Sequence, residues 1–376
     1  MQLSSTTVRY FGKVKVLLTQ NDNYVLEDTI KEKYSISQIK SLDDTDKKLN
    51  TLGARKTLFT STLTIPAVIS YLRSQSVNRY VILLEEEKYL IENDIIADTL
   101  ELISIKDDIR PYICIPNLVK IECNVFIVTN IHLVLPIEGS RNYHCQTLLT
   151  TSALLFTTRL TDVIIKKCTL MDTRENELNS MSIFEFNKGA DKINIEDSIF
   201  NNVSVKYEHC NSVLIMNNKF INSMTNFRMC QFTFDKNIFT DSQISLFNCN
   251  TCHIYNNQFS YKEKYDCINV DYSSTLFFIH NIIGDIDDTF LRIDRNSKAY
   301  IEHNNFMGGI KGKLLNITYS MTRLCSNNFS KVDLKISLYD SEIYSDNKNK
   351  CETEDVNFIV TDEDIVKPDR IVYVAI

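Results

Sequence analysis

Tryptophan is absent from this 376-residue chain, and glycine and proline are scarce, at 8 and 5 residues. Whatever turns the backbone must therefore be mostly other residue types, and Asn and Asp have the local hydrogen bonding to do it. No run of 18 apolar residues occurs, so no stretch reads as a membrane-spanning helix. A formal charge of −7 argues against a nucleic-acid backbone as partner. The opening residues, MQLSSTTVRYFGKV, lack the apolar core of a signal peptide. Together with eleven cysteines, that predicts a reducing compartment and free thiols. There is no nucleophile-elbow or triad spacing and no glycine-rich phosphate loop, and the expectation is a protein that is not an enzyme and carries no cofactor.

What the chain does have is a repeated phrase: apolar, two residues, Asn, one residue, Phe. It reads IMNNKF at Ile215–Phe220, FDKNIF at Phe234–Phe239, IYNNQF at Ile254–Phe259, FIHNII at Phe278–Ile283, IEHNNF at Ile301–Phe306 and LCSNNF at Leu324–Phe329. Weaker copies, Ile165–Leu170 and Ile195–Phe200, place Cys168 and Ser198 in the Asn slot. From Phe200 onward the closing apolar residues recur every 19 to 24 residues. A fixed period near that length marks a solenoid. Apolar residues alternate with period two, as at Ile193, Ile195, Phe232 and Phe234, so the unit is built from strands. Coils of parallel strands stack about 4.8 Å apart. Equivalent residues then form columns: a core ladder of Phe200, Phe220, Phe239, Phe259, Phe306 and Phe329, and a corner ladder of Asn218, Asn237, Asn257, Asn281, Asn304 and Asn327. Asn at such corners is expected to bond backbone and neighbouring amides through its side chain and to tolerate a left-handed backbone. The fold class is all-β, a parallel β-helix of the pectin-lyase-like kind, right-handed by analogy.

Residues 1–60 read as a flexible arm or linker, with Val8–Leu18 as a candidate strand within it. Residues 61–345 read as the β-helix, with irregular opening coils over 80–160 and regular coils over 161–340. Residues 346–376 read as capping strands. Leu63–Gln75, with Pro66 in a first turn, reads as a short helix. The polar stretch SDNKNKCETED reads as a break before the cap.

Four features could carry chemistry. Cys249–His253, CNTCH, matches the c-type haem attachment string, but that chemistry belongs to exported proteins, and the register makes these thiols buried or corner residues. His209, Cys210 and Cys230 lie on neighbouring coils, yet no second pair supplies four zinc ligands. Asp285, Asp287 and Asp288 with Arg292 and Arg295 are the best lead for a polysaccharide-cleaving acid/base set. No aromatic ladder at matching register accompanies it, so solvated or ion-paired corner residues are the expectation. His280 and His303 precede the Asn in successive phrases and should stack.

Three segments, Ile301–Phe306, Ser330–Leu334 (SKVDL) and Val360–Ala375 (VTDEDIVKPDRIVYVA), resemble the C-terminal part of the adenovirus early-region-1B large T-antigen family. Val119–Asn130 (VKIECNVFIVTN) resembles that family's opening coil, and the order agrees over about residues 110–376. The resemblance implies one of two roles. One is an atadenovirus-type minor capsid protein, a trimeric β-helix among the hexons on the virion surface, assembled in the host nucleus. The alternative is an early regulator, nuclear and cytoplasmic, that antagonises the host tumour-suppressor transcription factor as adaptor of a cullin ubiquitin ligase. This sequence shows no long N-terminal extension and no acidic Ser/Asp tail, and its Asn, Ile and Lys usage suggests an AT-rich genome. These departures favour the capsid role, with a homotrimer, hexon and other capsid proteins as partners and neither nucleic acid nor membrane.

Overall fold

Alternation decides the backbone. In Gln231–Asp235, Phe232 and Phe234 are buried while Gln231, Thr233 and Asp235 face outward, and the same in–out pattern recurs coil after coil. Such a segment can bury its apolar set only as a strand with one face covered. The computed structural model describes residues 79–135, 152–172, 182–262, 266–309, 313–329 and 336–345, apart from 85–87, 92, 105–109 and 116–117. It also describes Asn349 and the short strands Val14–Leu18, Tyr24–Val25, Leu63–Thr64 and Phe358–Val360. Among the described residues there is no helix. The architecture is an all-β solenoid of three parallel faces, to which the right-handed β-helix fits.

The chain divides into two compact units, Met1–Asp191 and Lys192–Ile376. In the N-terminal unit the first face stacks Val14–Leu18, Arg79–Leu84, Thr99–Ser104, Val125–Thr129 and Leu160–Lys166 in parallel. The second face stacks Leu63–Thr64, Lys88–Leu90, Tyr112–Cys114, His132–Leu135 and Thr169–Asp172. The third stacks Ile95–Ile96, Val119–Glu122, Ser152–Phe156 and Ser182–Phe186.

Two expectations change here. The span read as a linker contributes Val14–Leu18 to the first face, with Tyr24–Val25 antiparallel beside it. Alternating Val14, Val16 and Leu18 supply the strand signal. The start of the expected helix, Leu63–Thr64, is a strand; Pro66 disfavours helical backbone at the residue before it. The rest of Leu63–Gln75 lies outside the described residues.

The C-terminal unit repeats the plan with greater regularity. Its first face runs through Val213–Met216, Gln231–Asp235, Thr251–Tyr255, Thr275–Ile279, Lys298–Glu302, Met321–Cys325 and Glu342–Ser345. The second runs through Ile199–Asn201, Lys219–Ile221, Ile238–Thr240, Gln258–Tyr261, Ile282–Ile286 and Asn305–Phe306. The third begins with Ser204–Glu208, Met224–Arg228, Gln243–Phe247 and Ile268–Asp271. It continues with Leu291–Asp294, Leu315–Thr318, Ile336–Tyr339 and Phe358–Val360. That last strand extends the third face, inside the region read as a cap; Arg370–Ile376 lies outside the described residues.

The phenylalanine ladder forms as expected. Phe200, Phe220, Phe239 and Phe259 stack with ring centroids 4.6, 4.8 and 4.7 Å apart, and Phe306 stacks on Phe329 at 4.8 Å. Phe234, from the first face, meets Phe220, Phe227 and Phe239 edge-on. Stacked and edge-to-face contacts of this kind add to the burial free energy of each ring.

Glycine matters at one close approach. A Cβ at Gly308 would lie 2.2 to 2.5 Å from the backbone of Gly284 and Asp285, one coil below. Backbone cannot give way as a flexible side chain can, so Gly308→Ala is expected to destabilise by about 3 kcal/mol. A urea melt checks this. Gly309→Ala is the control, since a Cβ there meets nothing within 4 Å.

Candidate functional site

The corners that carry the Asn ladder in the C-terminal unit are each built from two consecutive residues. The first takes a left-handed backbone: Asn217, Lys236, Asn256, His280, His303 and Ser326 have φ between 54° and 56°. The second is the ladder residue, Asn218, Asn237, Asn257, Asn281, Asn304 or Asn327, each 2 % exposed or less. The left-handed residue is thus the neighbour of the ladder Asn, and the expectation that placed that strain on the ladder residue itself is corrected. The buried Asn does make the expected bonds to backbone and neighbouring amides. Its Oδ1 accepts the backbone N–H of the ladder residue one coil earlier, at 2.8 to 3.0 Å from Asn218 through Asn327. Its Nδ2 donates to a carbonyl of the preceding coil, as Asn281 does to Ile254 O at 2.9 Å and Asn304 to Phe278 O at 2.8 Å. Ser198 occupies the slot one coil before Asn218, donating its N–H to Asn218 Oδ1. Asn349, inside the stretch read as a polar break, takes the N–H of Asn327 at 2.8 Å and extends the ladder.

The other two corners follow the same rule with smaller side chains. Left-handed His209, Met229, Asn248, Ser273, Asn296, Tyr319 and Asp340 each precede a buried Cys or Ser. Cys210 N–H donates to Cys230 Sγ, Cys249 N–H to Ser274 Oγ, and the serine chain continues through Ser297, Ser320 and Ser341. At the remaining corner Val203, Ser223 and Ser242 form a shorter chain. These serine and cysteine ladders escape a search keyed on Asn. The signal that finds them is a small polar residue behind a turn former, recurring at the coil period.

The corner cysteines Cys168, Cys210, Cys230 and Cys249 are therefore structural. Thiols of Cys168, Cys230 and Cys249 donate to backbone carbonyls of their own and preceding coils. Burial pushes the Cys123 thiol up to about 12 and Cys168 to about 11. Cys249 is the exception: the hydrogen bond from Cys252 holds it below the ordinary thiol value against the opposing effect of burial. The three residues of the haem-like string diverge. Cys249 sits in the corner ladder, Cys252 points into the core and His253 points out of the first face. His209 is exposed while Cys210 and Cys230 are buried ladder residues. Among the described residues no cluster of three His, Cys, Asp or Glu could hold a metal ion.

The acidic segment is occupied by structural contacts. Asp285 accepts the Gly309 N–H at 3.1 Å and Asp288 accepts the Thr289 N–H at 2.8 Å. Arg292 pairs with Asp294 at 2.6 Å and with Asp266 at 3.5 Å; Arg295 pairs with Asp271. Burial raises the Asp266 carboxyl above its usual range, with Arg292 opposing. His280 and His303 stack as expected, centroids 5.1 Å apart.

One surface was not anticipated. On the first face, His253, Phe277 and Tyr300 point outward at matching register and stack, with centroids 4.9 Å apart at both steps. These side chains alternate with the inward set and stand apart from the residues around Asn that mark the repeat. Burial by its neighbours lowers the His253 pKa below the ordinary 6.5. The unfolded chain then takes up the proton first as pH falls, so the stability contributed by neutral His253 is full above 6.5 and is lost as pH drops through the folded value. The expected result is a smaller loss of melting temperature between pH 7 and pH 5 in His253→Phe than in wild type. Thermal melts at both pH values check this.

A scan against protein-family models and searches of curated proteins and of solved structures each found no match to this chain.

Proposed function

We propose that this chain is a non-enzymatic structural protein: a homotrimeric minor capsid component that lies among hexons on an adenovirus-type virion and stabilises the shell. The observation that carries this reading is the use of the corner residues. Asn, Ser and Cys side chains are bonded from coil to coil along three corners, and the Asp–Arg set is engaged in loop contacts and ion pairs. The molecule invests its polar chemistry in stiffness and offers flat, periodic faces for contact. The resemblance to the large T-antigen family, strongest for its capsid branch, supports the same reading. Protein contacts made through such faces depend on shape and a few desolvated side chains.

The test is made on purified particles. Virus is banded on a gradient, stripped gently, and each fraction probed for the chain, with native mass on the released species. The expected result is the chain in intact particles, released as a trimer. Recovery only from infected-cell nuclei, bound to a cullin complex and never with particles, would overturn the capsid reading in favour of the regulatory one.

A further inference from the structure

The corner that carries the asparagine ladder presents a second column to solvent, the left-handed residues that precede each Asn. His280 and His303 occupy this column on successive coils, with Asn256 before them and Ser326 after. Both histidines are exposed, and their rings stack with centroids 5.1 Å apart and planes 18° from parallel. Among the described residues neither imidazole makes a hydrogen bond or an ion pair. The turn itself does not call for imidazole, since Asn fills the same position at 217 and 256.

The backbone under the pair is fixed. His280 donates its N–H to Glu302 O at 3.1 Å and His303 to Cys325 O at 3.0 Å. The next residues, Asn281 and Asn304, are bonded to each other at 2.8 Å in the buried ladder. The two histidine backbones are thereby held one coil apart, about 4.8 Å, while the exposed rings keep their side-chain rotations.

Neutral imidazole nitrogens bind copper, nickel and zinc ions, at about 2.0–2.1 Å in the case of zinc. Two nitrogens share one such ion when they lie no more than about 4 Å apart. Small rotations of the stacked rings bring the coil spacing to that value. The surroundings tolerate a cation. Asn256 and Ser326 flank the pair along the column, Ile279 and Glu302 precede the histidines in register, and Ile282 and Asn305 follow the ladder Asn in register. None of these six is cationic and one is anionic, so a divalent ion meets no repulsion from them.

We propose that His280 and His303 form a two-point chelate for a divalent transition-metal ion, Cu(II), Ni(II) or Zn(II). A closed structural site takes four protein ligands, and no three-residue cluster is present among the described residues. The pair therefore supplies two ligands and leaves the remaining positions to water. This site stands independently of the capsid role.

The test is calorimetric titration of the untagged full chain with nickel chloride. Wild type is compared with His280→Ala, His303→Ala and the double variant, and circular dichroism confirms that each is folded. His209→Ala, an exposed histidine at a different corner, is the control. Two donors on one rigid corner make the second bond intramolecular, so losing either should weaken nickel binding at least about tenfold. The control should bind as wild type does. Nickel should also raise the melting temperature of wild type and not that of the double variant. Absence of nickel binding to wild type, unchanged affinity in both single variants, or a loss from only one of them would overturn the chelate.

Discussion

Replacing Asn257 with Leu is expected to destabilise the C-terminal unit by about 3–5 kcal/mol, although the two side chains have nearly the same volume. Asn257 Oδ1 takes the backbone N–H of Asn237 at 2.8 Å and its side-chain Nδ2 at 2.9 Å. Asn257 Nδ2 reaches Tyr255 O at 2.6 Å, Phe234 O at 3.2 Å and Asn281 Oδ1 at 3.1 Å. All of this lies at a fully buried position. Leucine would leave a buried backbone donor and buried carbonyls without partners, and each such orphan costs about 1–3 kcal/mol. The adjacent Asn256 supplies the contrast. It is left-handed and exposed, and glycine adopts that backbone without penalty, so Asn256→Gly should change stability by no more than about 1 kcal/mol. Urea unfolding of both variants checks the pair. Similar losses from the two would mean that the ladder bonds contribute little.

The second large effect is in the core. Phe239→Ala is expected to cost about 3–5 kcal/mol. Its ring is sandwiched between Phe220 at 4.8 Å and Phe259 at 4.7 Å, with Phe234 edge-on at 5.3 Å. Parallel backbones are pinned at the strand spacing, so the column cannot collapse to fill the gap, and the lost contacts fall on three neighbouring rings. Ile238, next in sequence, is 42 % exposed, and Ile238→Ala should lie within about 0.5 kcal/mol of wild type. Two apolar residues side by side in sequence thus differ several-fold in effect, because the strand sends one in and the other out. Chemical denaturation, read by circular dichroism, checks both.

These paired contrasts also show how much the sequence could reveal. The core phenylalanines and ladder asparagines were legible because the repeat keeps each at a fixed place in its phrase, and stacking turns a sequence period into a column. The left-handed residue was misplaced by one position: NN pairs at 217–218 and 256–257 offer two candidates, and only the hydrogen bonds separate them. The serine and cysteine ladders were hidden because Ser and Cys are common enough that a slot filled by either gives little signal. The outward aromatic column was hidden for a related reason. Phe277 and Phe278 adjoin in sequence, and only the register shows that Phe278 enters the core while Phe277 joins His253 and Tyr300 outside. Val14–Leu18 was legible as the second half of the Val8–Leu18 candidate strand, through its own alternation.

The central claim is that buried side chains at the corners hold successive coils together. The most direct test is residue-resolved amide hydrogen exchange of the folded chain. The backbone N–H groups of Asn218, Asn237, Asn257, Asn281 and Asn304 each donate to the next ladder Asn. They should exchange only through unfolding of the unit, as slowly as the N–H groups of its central strands. Rapid exchange at these five positions, with the neighbouring strands still protected, would contradict the account.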